Sequence, residues 1–339
     1  TVASQQMGRR PSELRVNGTE NLVAVISWRR ARLDIALITA DNKIAFRDQI
    51  PLTEEEDKVD KITSTFFNIM KPKVGDRRIM GLCIIIPGII DAENKRILST
   101  VIGVGYSDPV VQRFEEAFHD YPFCLLNDTA CFAYAEYVFA NITEPNFAYI
   151  NVSKGVGACL FANGKMLRGA GSNATQFGHF SVDRNGPLCA CGNHGCVERV
   201  VGENALTERA EACGIDLTRF AGRKPLYCDI GAMAEDGDAH AKELIKDLAV
   251  DLSFAISNLI TLFNPSLVVI GGMGVNLGPF FLSNIRDEVQ NSGFKEFVSN
   301  TWIQYSTLGL DSELGGAARY YIDHYYDFFE QMQGGLYAD

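Results

Sequence analysis

A cysteine-rich loop at residues 178–198 constrains this chain more than any other feature. Cys189, Cys191 and Cys196 lie within eight residues, and His179 stands ten positions before the first of them. The glycines and the proline among them let the backbone turn tightly around one point. Three thiolates and one imidazole are a soft ligand set of the kind that structural zinc prefers, with no coordination position left open. The loop therefore predicts a structural zinc site.

Two other interpretations of the three cysteines explain the loop less well than zinc. A disulfide is disfavoured because Cys189 and Cys191 are too close in sequence to pair comfortably, and because three is an odd number. An incidental position in the core explains the six remaining cysteines better than it explains this cluster. Those six cysteines are scattered singly through apolar or helical contexts. That scatter indicates reduced, buried thiols and favours a cytoplasmic protein.

The overall composition excludes some classes of function. The 339 residues carry a net charge of −11, which argues against binding nucleic acid unaided, because phosphate binding needs a basic face. No apolar run approaches the roughly 20 residues of a membrane helix, and no signal peptide opens the chain, so membrane insertion is not expected. The first residue is Thr1 and not methionine, so we expect a piece of a longer protein.

The hydrophobic pattern predicts an α/β protein built from two similar halves. In the first half, strands are predicted at 22–28, 32–39, 43–50, 80–86 and 123–126, and helices at 59–70, 110–119 and 129–140. In the second half, strands are predicted at 147–152, 156–161, 165–167, 267–270 and 302–305, and the clearest helices at 239–263, 280–291 and 313–333. Each half opens with a three-stranded meander, which suggests a duplicated fold with a cleft between two domains.

The domain boundaries follow from this repeat. We expect a linker at 1–20, an N-terminal α/β domain at 21–128 and a C-terminal α/β domain at 129–314 that contains the zinc loop. The last helix, at 315–339, has an aromatic face, and packing against the first domain explains that face better than a docking surface does.

The cysteine loop, the Asn127-Asp128 pair and the glycine-rich turns together resemble the ROK family (repressors, open reading frames and sugar kinases). The resemblance covers about residues 8–318. Its most specific part is the Gly-His…Cys-x-Cys-Gly-x-x-Gly-Cys-x-Glu signature, which is complete at 178–198. It implies the duplicated actin/hexokinase/RNase H-like fold, in which two domains enclose a cleft. The family's kinases bind a hexose there and transfer the γ-phosphate of ATP to a sugar hydroxyl.

The resemblance also implies sugar contacts in the first half. Pro87 and Gly88 match the Pro-Gly-x-x-Asp turn that lines the family's pocket, and Thr100 matches a hydroxyl contact. Asn127 and Asp128 match the pair that grips the reacting hydroxyl, and Asp128 is the general base if the chain is a kinase. A helix N-cap is the alternative for this pair, and both roles are compatible. Carboxylates and amides orient sugar hydroxyls through hydrogen bonds.

Three further contacts are implied in the second half. His179 is both zinc ligand and pocket wall, and Glu198 receives two ring hydroxyls. Gln176 stands where the family usually has a glutamate. The amide still accepts a hydrogen bond but has no charge, so the sugar's identity is left open.

The kinase phosphate turn is not matched. ROK kinases carry Asp-x-Gly-Gly-Thr between the first two strands, whereas this chain has Ser-Trp-Arg-Arg-Ala-Arg at 27–32. The sequence offers no glycine for close approach of a phosphate and no carboxylate for magnesium, so we expect Trp28 and Arg29 to fill the space. In the counter-interpretation the arginines hold a phosphate by charge. A second phosphate turn survives only as Ser-Lys-Gly-Val-Gly at 153–157.

A retained sugar pocket beside a degenerate phosphate turn resembles the family's transcriptional regulators. Those proteins carry a winged helix-turn-helix ahead of a kinase-like sensor, and Gly-Arg-Arg-Pro at 8–11 resembles the segment that follows it. A linker of no particular meaning is the alternative for this segment. We therefore predict the sensor and oligomerisation domain of a regulator, a repressor, of carbohydrate uptake or metabolism. Its partners would be a sugar or sugar-phosphate effector, DNA through a domain absent from this chain, and further copies in a homodimer or larger homo-oligomer.

Two alternative functions are also consistent with the sequence. One is an ATP-dependent sugar kinase of the glucokinase or N-acetylhexosamine kinase type, although the phosphate turn favours a protein that is not an enzyme. The other is a regulator that is controlled by a sugar-transport protein instead of a free sugar.

Overall fold

The computed structural model describes residues 18–91, 96–97, 108–169 and 174–326. Two predicted features, the Gly-Arg-Arg-Pro segment and Thr100, lie outside these residues, as does the end of the last predicted helix. Among the described residues, no helix combines the length and the apolar character needed to cross a membrane.

The first half forms a five-stranded mixed sheet. Its strands are β1 (Asn21–Trp28), β2 (Arg32–Thr39), β3 (Ile44–Pro51), β4 (Arg78–Ile86) and β7 (Phe123–Asn127), in the order β3-β2-β1-β4-β7. The first three strands pair antiparallel, and β1, β4 and β7 run parallel. The other elements are α1 (Lys58–Thr65), α2 (Val110–Ala117) and the small hairpin of β5 (Ile90–Asp91) and β6 (Arg96–Ile97).

The second half repeats this arrangement. Its strands are β8 (Phe147–Val152), β9 (Val156–Ala162), β10 (Lys165–Met166), β11 (Leu267–Gly271) and β12 (Trp302–Tyr305), in the order β10-β9-β8-β11-β12. Its helices are α4 (Val197–Val201), α5 (Glu203–Ala212), α6 (Tyr227–Glu235), α7 (Ala239–Phe263), α8 (Gly278–Gln290) and α9 (Lys295–Val298). Counted within each half, the strand order is the same, so the predicted duplication is present.

Two helices fill the space between the sheets. They are α3 (Asp128–Phe139) and α10 (Ser312–His324). The core between the sheets combines side chains of both helices with the inner faces of both sheets. A second core lies between the first sheet and α1 and α2, and a third lies between the second sheet and the helices from α4 onward. The central strands β1, β4, β8 and β11 are apolar on both faces because both faces are covered.

One predicted helix ends earlier than its periodicity indicated. The spacing predicted an α-helix at 59–70, but α1 ends at Thr65 and a π-helical stretch follows at Phe66–Met70. Phe66 and Met70 are both buried, and the chain then enters a 3-10 turn that contains Pro72. A proline cannot continue the backbone hydrogen bonds of an α-helix, and a wider turn changes the direction of the side chains that precede it.

The carboxyl ends of the parallel strands carry the predicted site residues. Pro87 and Gly88 follow β4, and Asn127 is the last residue of β7. In the second sheet, Ser153 follows β8 and Gly272 follows β11. Parallel strands end at the same edge of a sheet, which is where ligands of open α/β sheets bind.

Candidate functional site

The four predicted metal ligands come together. One ligand atom from each of His179, Cys189, Cys191 and Cys196 lies within 4.8 Å of the others. Cys189 Sγ is 3.5 Å from His179 Nδ1, and Cys191 Sγ is 3.6 Å from Cys196 Sγ. A tetrahedral zinc ion with the usual bond lengths would separate a sulfur from a nitrogen by about 3.6 Å and two sulfurs by about 3.8 Å. The donor set and the spacing therefore fit a metal ion.

Backbone hydrogen bonds hold the loop in this shape. Cys189 N donates to Asn193 O at 2.8 Å, and Gly192 N donates back to Cys189 O at 2.9 Å. Gly195 has φ +58°, and a Cβ there would collide with the carbonyl oxygen of Asp183. The loop thus needs a glycine where the chain turns past Asp183.

Burial, together with the neighbouring thiols of Cys191 and Cys189, raises the pKa of Cys196 to about 12. A bound cation would compensate for clustered thiolates, because metal binding requires deprotonated cysteine.

The loop continues directly into α4. Glu198 lies two residues beyond Cys196, in the first turn of α4. Its Oε2 accepts a hydrogen bond from Val156 N at 3.3 Å, and a Cβ at Gly155 would collide with this oxygen. The cysteine loop, Glu198 and the β8–β9 turn therefore form one packed unit. On the other side, Gln176 precedes the 3-10 helix that contains His179, whose N–H donates to Gln176 O at 3.0 Å.

Asn127 and Asp128 sit where β7 meets α3. Asn127 is the N-cap of α3: its Oδ1 accepts from Ala130 N at 3.1 Å. Its Nδ2 donates to Gly88 O at 2.8 Å, which ties the turn after β4 to the start of α3. The N-cap interpretation is confirmed. One amide hydrogen and one oxygen lone pair of Asn127 remain for a ligand.

Asp128 is the first residue of α3. Its Oδ1 accepts from Thr129 N at 2.7 Å. Burial raises the pKa of this carboxyl group, while the charge of Arg29 acts in the opposite direction. Thr129 connects this point to the second sheet, because Asn151 Nδ2 donates to its Oγ1 at 3.3 Å.

Arg29 occupies the turn between β1 and β2, where the kinase phosphate turn was not matched. Its guanidinium forms an ion pair with Glu313 in the first turn of α10. It also lies 3.4 Å from Asp34, measured from Nε to Oδ2. Asp34 in turn accepts hydrogen bonds from Arg32 Nε at 2.9 Å and Gln49 Nε2 at 2.8 Å. Arg29 therefore has two carboxylate partners.

Glu313 is nearly inaccessible to solvent. Burial raises its pKa to about 7 although Arg29 lowers it, and the charge of Asp128 adds to the increase. Its second oxygen, Oε2, is buried and has no hydrogen-bond partner among the described residues. Arg29 thus keeps the pKa of Glu313 lower than burial alone would make it.

One expectation about this turn is wrong. Trp28 does not fill the space in the turn, because alternate residues of a strand point to opposite faces and Trp28 packs in the core beneath α1 and α2. The turn itself contains no carboxylate, as expected. Asp34 and Glu313 reach it from β2 and α10, where both are paired with Arg29. Asp34 was recognisable as a charged residue inside an apolar strand, whereas Glu313 had no local signal.

The second phosphate turn is closely packed. Ser153 Oγ donates to Asn151 Oδ1 at 3.0 Å and accepts from Met273 N at 3.1 Å. Gly272 has φ +79°, and a Cβ there would collide with Asn151 Oδ1. A cavity of about 120 Å³ lies beside this turn. Its lining is Phe132, Tyr149, Gly272, Val275, Asn276, Ser306, Leu308, Gly309, Leu310 and Ser312.

Sequence comparison identifies relatives of this chain. The family model described as the ROK family matches residues 27–323. The xylose repressor of Bacillus subtilis (strain 168) is 26% identical over 250 residues, which cover 74% of this chain and 62% of the repressor. The chain thus spans less than two thirds of that relative. The DNA-binding transcriptional dual regulator NagC of Escherichia coli (strain K12) is 26% identical over 324 residues, or 92% of this chain and 78% of NagC.

Solved structures share the fold. A ROK family transcriptional regulator described as a homolog of the E. coli MLC protein has a TM-score of 0.76 at 24% identity. The match covers 89% of this chain and 78% of the regulator's chain. The ROK hexokinase from Thermus thermophilus has a TM-score of 0.72 at 22% identity, covering 92% and 100%. A ROK family glucokinase from Streptomyces griseus, in complex with glucose and AMPPNP, has the same score and identity, covering 88% and 98%. The two mixed sheets with their helices are therefore those of ROK regulators and sugar kinases.

Proposed function

Because this chain belongs to the ROK family, we propose that it is the effector-binding part of a sugar-responsive transcriptional regulator. The repressor relatives support a regulator. The proposal places the sugar in the cleft between the two sheets. We propose that DNA is contacted by a part of the protein outside the described residues. We also propose that the protein acts as a homodimer or a larger homo-oligomer. A ligand changes such an equilibrium only through its different affinities for the two conformations.

One observation carries the choice of regulator over kinase. Arg29, paired with Glu313 and Asp34, stands in the turn where the resembled kinases have glycines and a magnesium-binding aspartate. Phosphoryl transfer depends on electrostatic support from a magnesium ion and on backbone groups that approach the phosphates. A guanidinium in this place repels magnesium, and its two carboxylate partners are already engaged.

Two of the proposed sugar contacts, Glu198 and Asn127, retain hydrogen-bonding capacity among the described residues. In Glu198 one oxygen accepts from Val156 N, so the other is available for ring hydroxyls. In Asn127 the amide is only partly used by Ala130 and Gly88. Asp128, Gly88, Pro87, Gln176 and His179 complete the described part of the proposed pocket, and Thr100 is proposed from the resemblance alone. Charge-assisted hydrogen bonds to carboxylates would supply most of the affinity.

We further propose that the metal is zinc and that its role is structural. The four protein ligands leave no open coordination position, so the ion would not activate water. It would hold the loop that carries His179 and leads into Glu198, and so fix that side of the cleft.

The test is calorimetry of the chain with free sugars, combined with a coupled assay for ADP release. The proposal expects saturable sugar binding without turnover in the presence of magnesium and ATP. ATP-dependent phosphorylation of a bound sugar at an ordinary rate of about 1–10³ per second would overturn it. Absence of heat with every sugar would instead favour control by a sugar-transport protein.

The kinase remains the second candidate because Asp128 lies at the start of α3 and kinases are among the structural neighbours. In that case Asp128 is the general base. Asp128→Asn would then abolish turnover without loss of the fold, and an unchanged rate would remove this candidate.

A further inference from the structure

The charged groups around Arg29 and Asp128 indicate which form of sugar this side of the proposed cleft accepts. We propose that the effector is an uncharged sugar whose hydroxyl beside Asp128 is free, and that the phosphate ester of that hydroxyl is excluded by charge. This inference rests on the proposed function, because it takes Asp128 to contact the sugar. It selects one of the two effector classes predicted from the sequence.

Arg29 would be the natural phosphate ligand here, but its charge is already engaged. One guanidinium nitrogen binds Glu313, and Nε lies 3.4 Å from Asp34. The side chain is 30% exposed, whereas that of Glu313 is 1% exposed. To bind a phosphate, Arg29 would have to leave a buried carboxylate without a partner, which is unfavourable in a protein interior.

The local charge balance is not positive. Arg29 is surrounded by the carboxyl groups of Asp34, Glu313 and Asp128, all of which act on its pKa. Arg32 offsets part of this through its contact with Asp34, but its side chain is half-exposed and so largely screened. A phosphate monoester brings a further −1.5 to −2 charges, roughly, at neutral pH. A neutral hydroxyl brings none and donates a hydrogen bond to a carboxylate.

Helix N-termini, the other common source of phosphate ligands, already carry carboxylates here. α3 and α10 both have one in the first turn, namely Asp128 and Glu313. At α3, Asn127 also accepts from the N–H of Ala130, and Asp128 accepts from the N–H of Thr129. A helix N-terminus binds phosphate through such N–H groups and through its partial positive charge. The carboxylates offset that charge at both helices, and at α3 side chains also use the N–H groups.

The expected discrimination is large enough to measure. Two like unit charges about 6 Å apart, in the effective dielectric of a protein surface, disfavour binding by about 100-fold. The free sugar should therefore bind at least about 100-fold more tightly than its ester at this hydroxyl.

The experiment is calorimetry of the chain with four sugars, each paired with the phosphate ester of its terminal hydroxyl. The sugars are galactose, glucose, mannose and N-acetylglucosamine. The inference expects at least one free sugar to bind and its ester to bind about 100-fold more weakly or not at all. An ester that binds as tightly as its free sugar, or more tightly, overturns the inference and leaves the proposed sugar sensor standing. No binding by any of the eight compounds overturns both.

A charge-deleting variant tests the cause. Glu313→Gln keeps the size of the side chain and, at pH 8, where the Glu313 carboxyl is mostly ionised, removes one negative charge beside Arg29. It should raise the affinity for the ester relative to the free sugar by about tenfold, for one charge at about 12 Å. Asp311→Asn is the matched control, because Asp311 lies two residues earlier but pairs with Arg47, at 2.6 Å, and not with Arg29. An equal change in both variants, or no change in Glu313→Gln, contradicts the inference.

If Glu313→Gln does not fold, Asp34→Asn removes the second carboxylate beside Arg29 and is expected to change the affinity ratio in the same direction. An unchanged ratio in a folded Asp34→Asn variant likewise contradicts the inference.

Discussion

Arg29, in the turn after β1, forms an ion pair with Glu313, which lies 284 residues further along the chain in the first turn of α10. The pair joins the first sheet to one of the two helices that lie between the sheets. In the proposed function, it also lies in the turn where the family's kinases would hold phosphate and magnesium. The same contact therefore bears on stability, on pH dependence and on the proposed loss of catalysis.

Arg29→Gln should destabilise the fold. The substitution leaves the Glu313 carboxylate buried without its cation, and removing one partner of such a pair costs about 3 kcal/mol. Urea unfolding at pH 8 measures the effect. Arg30→Gln, at the exposed neighbouring position, is the control and should change the unfolding free energy by less than about 0.5 kcal/mol. Equal losses in both variants would show that the ion pair contributes nothing specific.

Glu313 should make stability depend on pH. Its pKa is raised from 4.5 to about 7 in the folded protein, so the folded state binds more protons than the unfolded state between these values. Stability from this group is therefore highest below about pH 4.5 and is lost as the pH rises to about 7, by up to about 3 kcal/mol in total. Relative to the wild type, Glu313→Gln should gain stability from pH 5 to pH 7 and change little above pH 8. A difference that is independent of pH would contradict this.

Cys191→Ser should reduce metal content and stability together. Structural zinc contributes on the order of 10 kcal/mol to folding, and loss of one thiolate weakens that contribution by several kcal/mol. Zinc content by mass spectrometry and chemical unfolding are measured on the same samples. Cys228→Ser, at an exposed cysteine on α6, is the control and should retain both. Complete loss of metal with unchanged unfolding would refute a structural role.

Glu198→Gln should weaken sugar binding without loss of zinc. A hydrogen bond to a charged group contributes about 1.5–3 kcal/mol, so affinity should fall about 10- to 150-fold. Calorimetry gives the affinity, and the metal assay shows whether the loop is intact. Glu211→Gln, at an exposed position on α5, should leave both unchanged. Unaltered affinity in Glu198→Gln would remove this residue from the proposed pocket.

The sequence predicted local features well and distant contacts poorly. The four proposed metal ligands lie within 18 residues of one another, so their spacing already indicated that they can converge. The position of Asn127 between a strand and a helix also followed from residue preferences. The partner of Arg29 did not, because only the packing of α10 between the two sheets brings Glu313 to the β1–β2 turn. Trp28 was predicted in the turn, but side chains along a strand alternate between its two faces, and this alternation directs Trp28 into the core.

The most direct test of the account is one titration in two steps. The chain is first saturated with the free sugar that binds most tightly in calorimetry, and magnesium with ATP is then added while heat and ADP are both recorded. The account predicts no saturable binding of ATP and no ADP release above the level without protein. Saturable ATP binding with ADP release that depends on the sugar, and that Asp128→Asn abolishes, would contradict it and identify the protein as a kinase.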